Sequence, residues 1–254
     1  MRISEFLLGL VALTLSWTGT DELGQGKAAE IRVLSGPFHH VQGIDVEGDT
    51  LWVSSVDRNS SRGLLSRVGL PAGRIELQVQ VEDGPRFHPG GIALDGDYIW
   101  VPAAEYHRGG TSVIQKRDKR TLSLVSSFEV GDHIGCVAVG RDQIAGGNWD
   151  SAELYFWTRS GELLRKVTNR HGNRYQDLKW IGTELVASGI LADSGPRGAI
   201  DWLDPESLRL VRRVRAGKTD RGVSLTNEGM TFRGGKLYLL PEDDPSRLFV
   251  FDLR

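Results

Sequence analysis

One hairpin pattern recurs along the 254-residue sequence and constrains its fold more than any other feature. Its clearest copy covers residues 90–106, where an apolar strand runs into the tight turn Asp95-Gly96-Asp97 and returns as a second apolar strand. A second clear copy covers residues 43–53, with a Gly48-Asp49 turn. Glycine and aspartate at such turns are typical of tight β-hairpins. The sequence therefore predicts strands joined by short turns.

The copies are nearly equally spaced. The residues that open their inner strands lie 48, 44, 42 and 52 positions apart: Gly43, Gly91, Gly135, Asp177 and Gly229. This spacing is close to the length of a four-stranded propeller blade. We therefore predict an all-β fold, a five-bladed β-propeller of four-stranded antiparallel blades formed by residues 30–254. The predicted blades cover residues 37–84, 85–131, 132–172, 173–222 and 223–254.

The fifth repeat is one strand short, and a segment before the first repeat can supply that strand. Residues 30–35 alternate polar and apolar side chains. Pairing them with the end of the chain would close the ring and remove an exposed sheet edge. We therefore expect the last blade to be closed by this N-terminal strand.

Residues 1–29 differ from the rest of the chain. Arg2 precedes the apolar run 6–15, and a polar stretch then leads to Ala28-Ala29. This order is typical of a secretory signal peptide, and the apolar run is too short to span a bilayer. We predict a secreted or periplasmic protein without a membrane span after signal removal. The alternative is an N-terminal helix that stays attached.

Composition excludes several classes of partner. The net charge is −2, with 39% hydrophobic and 25% charged residues, as in ordinary soluble domains. No electrostatic attraction to nucleic acid follows from this balance, and we expect a monomer. The single Cys136 lies in an apolar strand and makes no intrachain disulfide. The sequence has no Gly-x-Ser-x-Gly, phosphate-loop or His-Glu-x-x-His motif, which excludes the enzymes that those motifs define.

Polar residues flank the predicted inner hairpins on one face of the propeller, where long loops connect the blades. His40, His88 and His133 are each followed 17 residues later by an acid. If each acid lies opposite its histidine, and Asn227 lies opposite Glu242 in the fifth blade, polar pairs surround the mouth of the central channel, where loops carry function. The candidate ligand-binding residues are His40, Asp57, His88, Glu105, His133, Asn148, Trp149, Asp150, Gln176, Asn227 and Glu242.

Three interpretations of this ring stay open. The pairs can be purely structural, they can bind a small polar molecule, or they can hold a metal ion. Three histidines would suit zinc. The oxygen ligands of the set Glu105, Asn148, Asp177 and Glu228 would suit calcium. We expect no certain cofactor beyond such a divalent cation, with calcium preferred to zinc.

The hairpins resemble known proteins. Residues 41–52 and 227–238 resemble secreted bacterial propellers, among them the glutamine cyclotransferases and the lactonase and strictosidine-synthase-like group. The overall resemblance is to an uncharacterised bacterial propeller family, through His-Pro-Gly-Gly-Ile-Ala at 88–93 and Leu-Leu-Pro-Glu-Asp at 239–243. Cyclotransferases carry Glu-Gly-Leu at the second inner strand, where this chain has Gly90-Gly91-Ile92. The resemblance implies the fold rather than an activity.

The predicted function is an extracytoplasmic propeller that binds a small polar ligand, with or without a divalent metal, at the channel mouth. One alternative is a metal-dependent, lactonase-like hydrolase in which Glu105, Asp177 and Glu228 hold the ion and a histidine acts as base. The other is a non-catalytic scaffold for protein interactions, which would expose apolar loop patches. The sequence leaves open whether the protein is an enzyme.

Overall fold

Five antiparallel sheets follow one another along the chain, as the repeats predict. The computed structural model describes residues 22–192 and 197–253. Its N-terminal segment contains β1 (Glu22–Leu23), a 3₁₀ turn (Gln25–Lys27) and β2 (Glu30–Val33). The remaining strands are β3 (His40–Glu47), β4 (Thr50–Asp57), β5 (Arg62–Gly69), β6 (Arg74–Gln80), β7 (His88–Pro89), β8 (Ala93–Asp95), β9 (Tyr98–Ala104), β10 (Ser112–Asp118), β11 (Leu124–Val130), β12 (Ile134–Val139), β13 (Gln143–Asn148), β14 (Glu153–Thr158), β15 (Leu163–Thr168), β16 (Asn173–Ile181), β17 (Glu184–Leu191), β18 (Gly198–Leu203), β19 (Leu210–Ala216), β20 (Glu228–Arg233), β21 (Lys236–Pro241) and β22 (Arg247–Asp252).

Each sheet is one blade of a five-bladed β-propeller, which confirms the predicted fold class. Blade 1 is β3-β4-β5-β6, and in blade 2 the pieces β7 and β8 both pair with β9, followed by β10 and β11. Blade 3 is β12-β13-β14-β15, and blade 4 is β16-β17-β18-β19 with β1 added at its edge. Blade 5 is β20-β21-β22-β2.

The N-terminal strand β2 closes the ring as predicted. It pairs antiparallel with β22, with Glu30 opposite Val250 and Val33 opposite Arg247. Two further backbone hydrogen bonds, from Ala29 N and Leu34 N, extend the pairing at both ends. The last blade is therefore built from both ends of the repeat region, and β2 covers the edge of β22.

The predicted signal peptide falls mostly outside the described residues. Residues 1–21 are not described. In the described part of the chain, the helical segments are the 3₁₀ turns at Gln25–Lys27 and Trp149–Ser151. Within that part, no helix reaches the length and hydropathy needed to cross a membrane. Glu22 and Leu23 pair in parallel with β19, and the Leu23 side chain is buried beside Trp202 and Val214. The signal peptide itself stays a prediction.

Apolar side chains fill the spaces between neighbouring blades. Trp52 and Leu65 of blade 1, for example, pack against Ile92 and Ile99 of blade 2. Similar clusters, within the described chain, join blades 2 and 3, blades 3 and 4, blades 4 and 5, and blades 5 and 1. The side chains that point off each sheet are thereby buried between blades, which explains the apolar alternation of every hairpin.

Glycines let the inner strands meet near the axis. A Cβ on Gly43 would lie 2.4 Å from the Cα of Gly91, and a Cβ on Gly90 would lie 1.9 Å from the carbonyl oxygen of Gly135. Both distances are far below van der Waals contact. At these contacts the inner strands of blades 1, 2 and 3 can approach this closely only because side chains are missing.

Asp177 replaces glycine at this level in blade 4, and its carboxylate fills the axis. Oδ2 accepts hydrogen bonds from the amides of Ile44 (3.2 Å) and Met230 (3.0 Å), in blades 1 and 5. Oδ1 lies 2.5 Å from Lys179 Nζ, which also donates to the Ile92 carbonyl of blade 2 (2.7 Å). Burial raises the pKa of Asp177 to about 6, against the opposing effect of Lys179 and the amides. This buried pair holds four blades together.

Candidate functional site

The inner strands carry one extra residue each where they reach the channel mouth. In blade 1, Val41 pairs with Ser55 and Gly43 with Ser54, so that Gln42 has no partner. Gly135 and Gln176 are extra in the same way in blades 3 and 4. In blade 2 the strand is interrupted at residues 90–92, which face only two residues of β9. Such β-bulges re-aim side chains and are frequent next to functional sites.

The bulges shift the register beyond them by one residue, and the predicted histidine–acid pairs are therefore wrong in the first three blades. His40 lies opposite Val56 rather than Asp57, and His88 lies opposite Ala104 rather than Glu105. In blade 3, Ile134 lies opposite Asn148, so that His133 is likewise one residue out of step with Asp150. Because side chains alternate along a strand, this slip changes which ones reach the channel.

Asp57 and Glu105 stabilise their own loops instead. The Asp57 carboxylate accepts hydrogen bonds from the Asn59 amide (3.1 Å) and the Ser60 hydroxyl. Glu105 Oε2 accepts from the amide (2.7 Å) and the hydroxyl (3.0 Å) of Thr111. These hydrogen bonds lower the pKa of both carboxyl groups. Neither residue lines the cavity described next.

A cavity of about 230 Å³ lies at the channel mouth, and residues from all five blades or their connecting loops line it. Ten of its lining residues are among those predicted from the sequence: His40, His88, His133, Asn148, Trp149, Asp150, Gln176, Asn227, Glu228 and Glu242. Five were not predicted: Gln42, Arg58, Tyr106, Gly135 and Tyr175. The unpaired residues Gln42, Gly135 and Gln176 are all among the lining, so the bulges form part of the pocket floor.

One wall of the cavity is aromatic. His88 stacks on Tyr106 with ring centroids 4.3 Å apart and planes 9° apart, and Tyr106 stacks against Trp149 at 5.8 Å. The edge of His133 meets Trp149 at 4.6 Å. Burial lowers the pKa of His88 to about 3, so that its ring is neutral at physiological pH, and its Nδ1 has no hydrogen-bond partner. This wall offers flat, uncharged surface with one unused polar atom.

His133 is held in one tautomer by the loop of blade 2. Its Nδ1 lies 2.7 Å from the Glu105 carbonyl oxygen, which can only accept, so Nδ1 carries the hydrogen and donates. Burial lowers the pKa of His133, which leaves Nε2 unprotonated in the neutral ring. The backbone of the blade 2 loop therefore holds the His133 ring in place.

A second wall of the cavity is charged and is formed by blades 1 and 5. His40 Nδ1 lies 2.7 Å from Glu242 Oε1, although the two groups are not aligned as a hydrogen bond and Nδ1 has no other partner. Arg58 Nη1 lies 4.0 Å from the same oxygen. The adjacent His40 ring lowers the pKa of Glu242. The Glu242 amide donates to the Asn227 carbonyl (3.1 Å), so that the predicted Asn227–Glu242 pair of blade 5 is confirmed.

Glu228 is the unusual member of this wall. Its side chain is 5% exposed, its Oε2 has no hydrogen-bond partner, and its backbone has a φ of 102°. Burial, followed by the charge of Glu242, raises the pKa of Glu228 well above its usual range. A strained backbone costs roughly 1–3 kcal/mol and is found where function requires it. Ligand atoms of Glu228, Glu242 and His40 all lie within 4.8 Å of one another.

The remaining predicted residues have structural partners. Asn148 donates to Asp132 Oδ2 (3.0 Å) and accepts from the Glu153 amide (2.8 Å). Asp150 pairs with Arg108, whose guanidinium lies 5.6 Å from the centroid of Trp149. Of the predicted metal set Glu105, Asn148, Asp177 and Glu228, the first three have protein partners, and only Asn148 and Glu228 line the cavity. Burial also raises the pKa of the Cys136 thiol to about 12, which makes it inert.

Together these features define a five-bladed β-propeller with a polar, partly aromatic pocket at the mouth of its channel. A family model described as "Family of unknown function (DUF6454)" matches residues 70–187, which cover the end of blade 1, blades 2 and 3, and the start of blade 4. No curated protein sequence matches this chain.

Solved structures resemble the chain in fold. The glutaminyl cyclase of Myxococcus xanthus superposes with a TM-score of 0.67 and 14% identity, over 88% of this chain and 94% of that one. The WD40 domain of Pan2 from Neurospora crassa gives a TM-score of 0.50 and 13% identity, over 85% of this chain and 63% of that one. At such identities the likeness shows the fold alone. The predicted resemblance to an uncharacterised propeller family similar to glutamine cyclotransferases is confirmed at that level.

Proposed function

We propose that the channel-mouth pocket binds a small polar molecule that carries a flat or apolar group. The observation that supports this most directly is the combination of two unlike surfaces in one cavity. Tyr106 and Trp149 offer stacking surface, and Glu242, Glu228 and Arg58 offer charge and hydrogen bonds. Arg58 joins the two surfaces, because its guanidinium lies 5.9 Å from the centroid of the Tyr106 ring. Pockets that recognise small ligands combine these two kinds of surface.

The size of the cavity restricts the ligand. A volume of about 230 Å³ is below the usual range for drug-sized ligands, which is roughly 300–1,000 Å³. Each water molecule in the liquid takes up about 30 Å³, so the cavity has the volume of roughly eight water molecules. A ligand of the size of an amino acid, an amine or a small sugar fits this space. An amino or hydroxyl group of such a ligand would face Glu242.

A thermal-shift screen of amino acids, amines, organic acids and monosaccharides tests this proposal. We expect at least one compound to raise the melting temperature, and calorimetry to show that Trp149→Ala and Glu242→Gln weaken its binding. Glu206→Gln, which removes an exposed carboxylate from a turn of blade 4, is the control and should bind normally. Equal binding by all variants would show that the compound binds elsewhere, and the absence of any hit would contradict the proposal.

A metal-dependent hydrolase remains the second candidate, because His40, Glu228 and Glu242 converge on the same cavity. The version in which Glu105 and Asp177 hold the ion is not retained. A panel of simple esters and lactones, assayed before and after chelation, tests this candidate. Turnover that is lost on chelation and lost in Glu228→Gln would support it, and turnover that survives both would exclude it.

The scaffold alternative is less well supported. Among the described residues, large apolar side chains are exposed mainly on the outermost strands: Ile31, Val33, Leu124, Val125, Leu163, Leu164 and Val211. Tyr106 is the exception, because it is exposed at the channel mouth, where it belongs to the pocket wall. A protein-binding platform on the loops would expose apolar surface there.

We also propose that the protein is exported, on the pattern of residues 1–29. The buried position of Leu23 favours cleavage before Glu22, because removal at Ala29 would delete a side chain that packs in the core. N-terminal sequencing of the protein from the periplasm or medium tests this. A mature chain that begins at residue 30 would contradict this cleavage position, and a chain retained in the cytoplasm would contradict export.

A further inference from the structure

The charged wall of the pocket contains an arrangement that a small polar ligand alone does not explain. Two carboxylates and an imidazole converge there, and they come from different parts of the chain: His40 from β3, Glu228 from β20 and Glu242 from the loop after β21. Among the described residues this is the one set of three His, Cys, Asp or Glu side chains with all ligand atoms within 4.8 Å of one another. Two glutamates placed side by side repel each other unless one of them takes up a proton or a cation lies between them.

Two unsatisfied atoms point to such a cation. Glu228 is 5% exposed, it lines the cavity, and its Oε2 accepts no hydrogen bond. His40 Nδ1 is only 2.7 Å from Glu242 Oε1 but is not aligned to donate to it. Buried polar atoms are nearly always hydrogen-bonded, and an exception indicates a missing partner. One ion between these atoms would satisfy both.

We propose that His40, Glu228 and Glu242 bind one divalent transition metal ion of the zinc class. The inference rests on the proposed function, because the ion lies in the wall of the same pocket and would contact the bound molecule. Imidazole nitrogen together with two carboxylates suits zinc and its neighbours in the transition series, whereas calcium takes oxygen ligands almost exclusively. The preference for calcium expected from the sequence is thereby reversed.

The geometry needs only a small adjustment. Ligands bound at about 2.0–2.1 Å in a tetrahedron lie about 3.3 Å apart. His40 Nδ1 and Glu242 Oε1, now 2.7 Å apart, therefore have to separate by about 0.6 Å, and any spacing within the 4.8 Å limit that exceeds about 3.3 Å has to shrink. Glu242 can supply this movement, because its side chain is 44% exposed. Three protein ligands leave one coordination position for the ligand or a water molecule, as in catalytic zinc sites. The ion also has a route in, since His40 and Glu242 line an adjoining cleft of about 530 Å³ between blades 1 and 5.

A direct titration tests the site without knowledge of the small molecule. The full chain is stripped with a chelator, dialysed and titrated calorimetrically with Zn²⁺ and, separately, with Ca²⁺. We expect one zinc ion per chain and calcium binding at least about tenfold weaker. Glu242→Gln and His40→Ala should each weaken zinc binding by at least about tenfold, the range found even for residues that only support a ligand. His39→Ala is the matched control, because His39 is the neighbouring histidine and faces Asp57 at 3.8 Å.

Each other outcome overturns the site. Wild-type protein that takes up no zinc, tighter binding of calcium, or equal loss in His39→Ala would do so. Loss of zinc binding in His88→Ala, with full zinc binding in Glu242→Gln, would show that the ion binds to the histidines of the aromatic wall instead. Glu242 is at the surface, so that its variant reports on the ion even if a change at the buried Glu228 prevents folding. Because the titration uses Zn²⁺ alone, its result does not depend on whether the small-molecule screen succeeds.

Discussion

The buried ion pair at the propeller axis gives the sharpest test of how the five blades hold together. Substituting Lys179→Met removes a cation that lies 2.5 Å from the Asp177 carboxylate and keeps an unbranched side chain of similar length. Asp177 is then left as a fully buried carboxylate with amide donors from Ile44 and Met230 but no opposite charge. The variant also breaks the link to the Ile92 carbonyl of blade 2.

The expected loss is large. Removing one partner of a buried ion pair costs about 3–5 kcal/mol. For a domain of this size, 1 kcal/mol shifts the melting temperature by about 2–4 °C, so a fall of roughly 6–20 °C is expected near neutral pH. Exposed ion pairs contribute at most about 1 kcal/mol. Lys236→Met, which breaks an exposed pair with Asp252 at 3.7 Å, is therefore the control and should melt within a few degrees of wild type.

The loss should also depend on pH, and its sign follows from Asp177. Burial already raises the pKa of this group to about 6, above the value in an unfolded chain, and loss of Lys179 raises it further. A carboxyl whose pKa is raised in the folded state destabilises the fold above that pKa, and the penalty disappears as the pH falls and the group takes up a proton. The destabilisation by Lys179→Met should therefore be smaller at pH 5 than at pH 8.

Thermal melts followed by circular dichroism at both pH values measure this. The double variant Asp177→Asn, Lys179→Met, which removes both charges, should recover part of the loss at pH 8 and show little pH dependence. If Lys179→Met melts at the same temperature as Lys236→Met, or loses equal stability at pH 5 and pH 8, the Asp177–Lys179 pair does not support the axis in the way its contacts indicate.

Three further predictions follow from the inner strands and the pocket. Gly90→Ala should lower the melting temperature strongly or prevent folding, since its Cβ would lie 1.9 Å from a backbone oxygen. Gly135→Ala should melt near the wild-type temperature, because the nearest neighbours of its Cβ would lie 3.8 Å away. Similar melting temperatures for the two variants would contradict the close packing. Deleting residues 30–35 should sharply lower the melting temperature by reopening the ring, and an unchanged melt would show that β2 does not close it. The ring signals of His88 in an NMR titration should not shift between pH 5 and pH 8, because burial lowers its pKa to about 3; a midpoint inside that interval would place the ring in contact with solvent.

The repeat pattern was sufficient to predict the blades. Each blade needs strands with apolar side chains toward both neighbours and a tight turn at the end of its inner hairpin, so both signals recur once per blade. The missing strand of the fifth repeat and the unassigned segment 30–35 together predicted ring closure. These features depend on periodicity, which a single sequence displays.

The site was predicted less accurately, for one physical reason. The bulges at Gln42, Gly135 and Gln176 add one residue near the end of an inner strand, where no apolar repeat remains to reveal a change of register. Counting outward from the turn therefore assigned each histidine a partner one position too far along the chain. Blade 5 shows the converse. Its inner hairpin pairs without a bulge, and there the predicted Asn227–Glu242 pair is correct.

Contacts between blades were beyond the reach of the repeat pattern. His40 meets Glu242, about 200 positions later in the chain, only because the ring closes and places blade 5 beside blade 1. A repeat relates each blade to its equivalent, but it contains no information on which side chains of neighbouring blades touch. The same holds for Arg58 and Tyr106, which come from different loops and meet at 5.9 Å above the pocket.

The bulges also separate the part of each inner strand that builds the fold from the part that is free to carry function. One residue below them, Gly43 and Gly91 have no room for even a methyl group, and Asp177 is fixed by hydrogen bonds to the amides of Ile44 and Met230. At the bulges themselves, Gln42 and Gln176 have no partner in the sheet, so their side chains can differ without loss of strand pairing. Glu228 lies at the corresponding level of blade 5 and reaches the pocket through a strained backbone instead of a bulge. A propeller of this kind can therefore change the ligand at its channel mouth by changing this level alone, and the chemistry of the pocket should be sought there rather than in the hairpin motif that defines the fold.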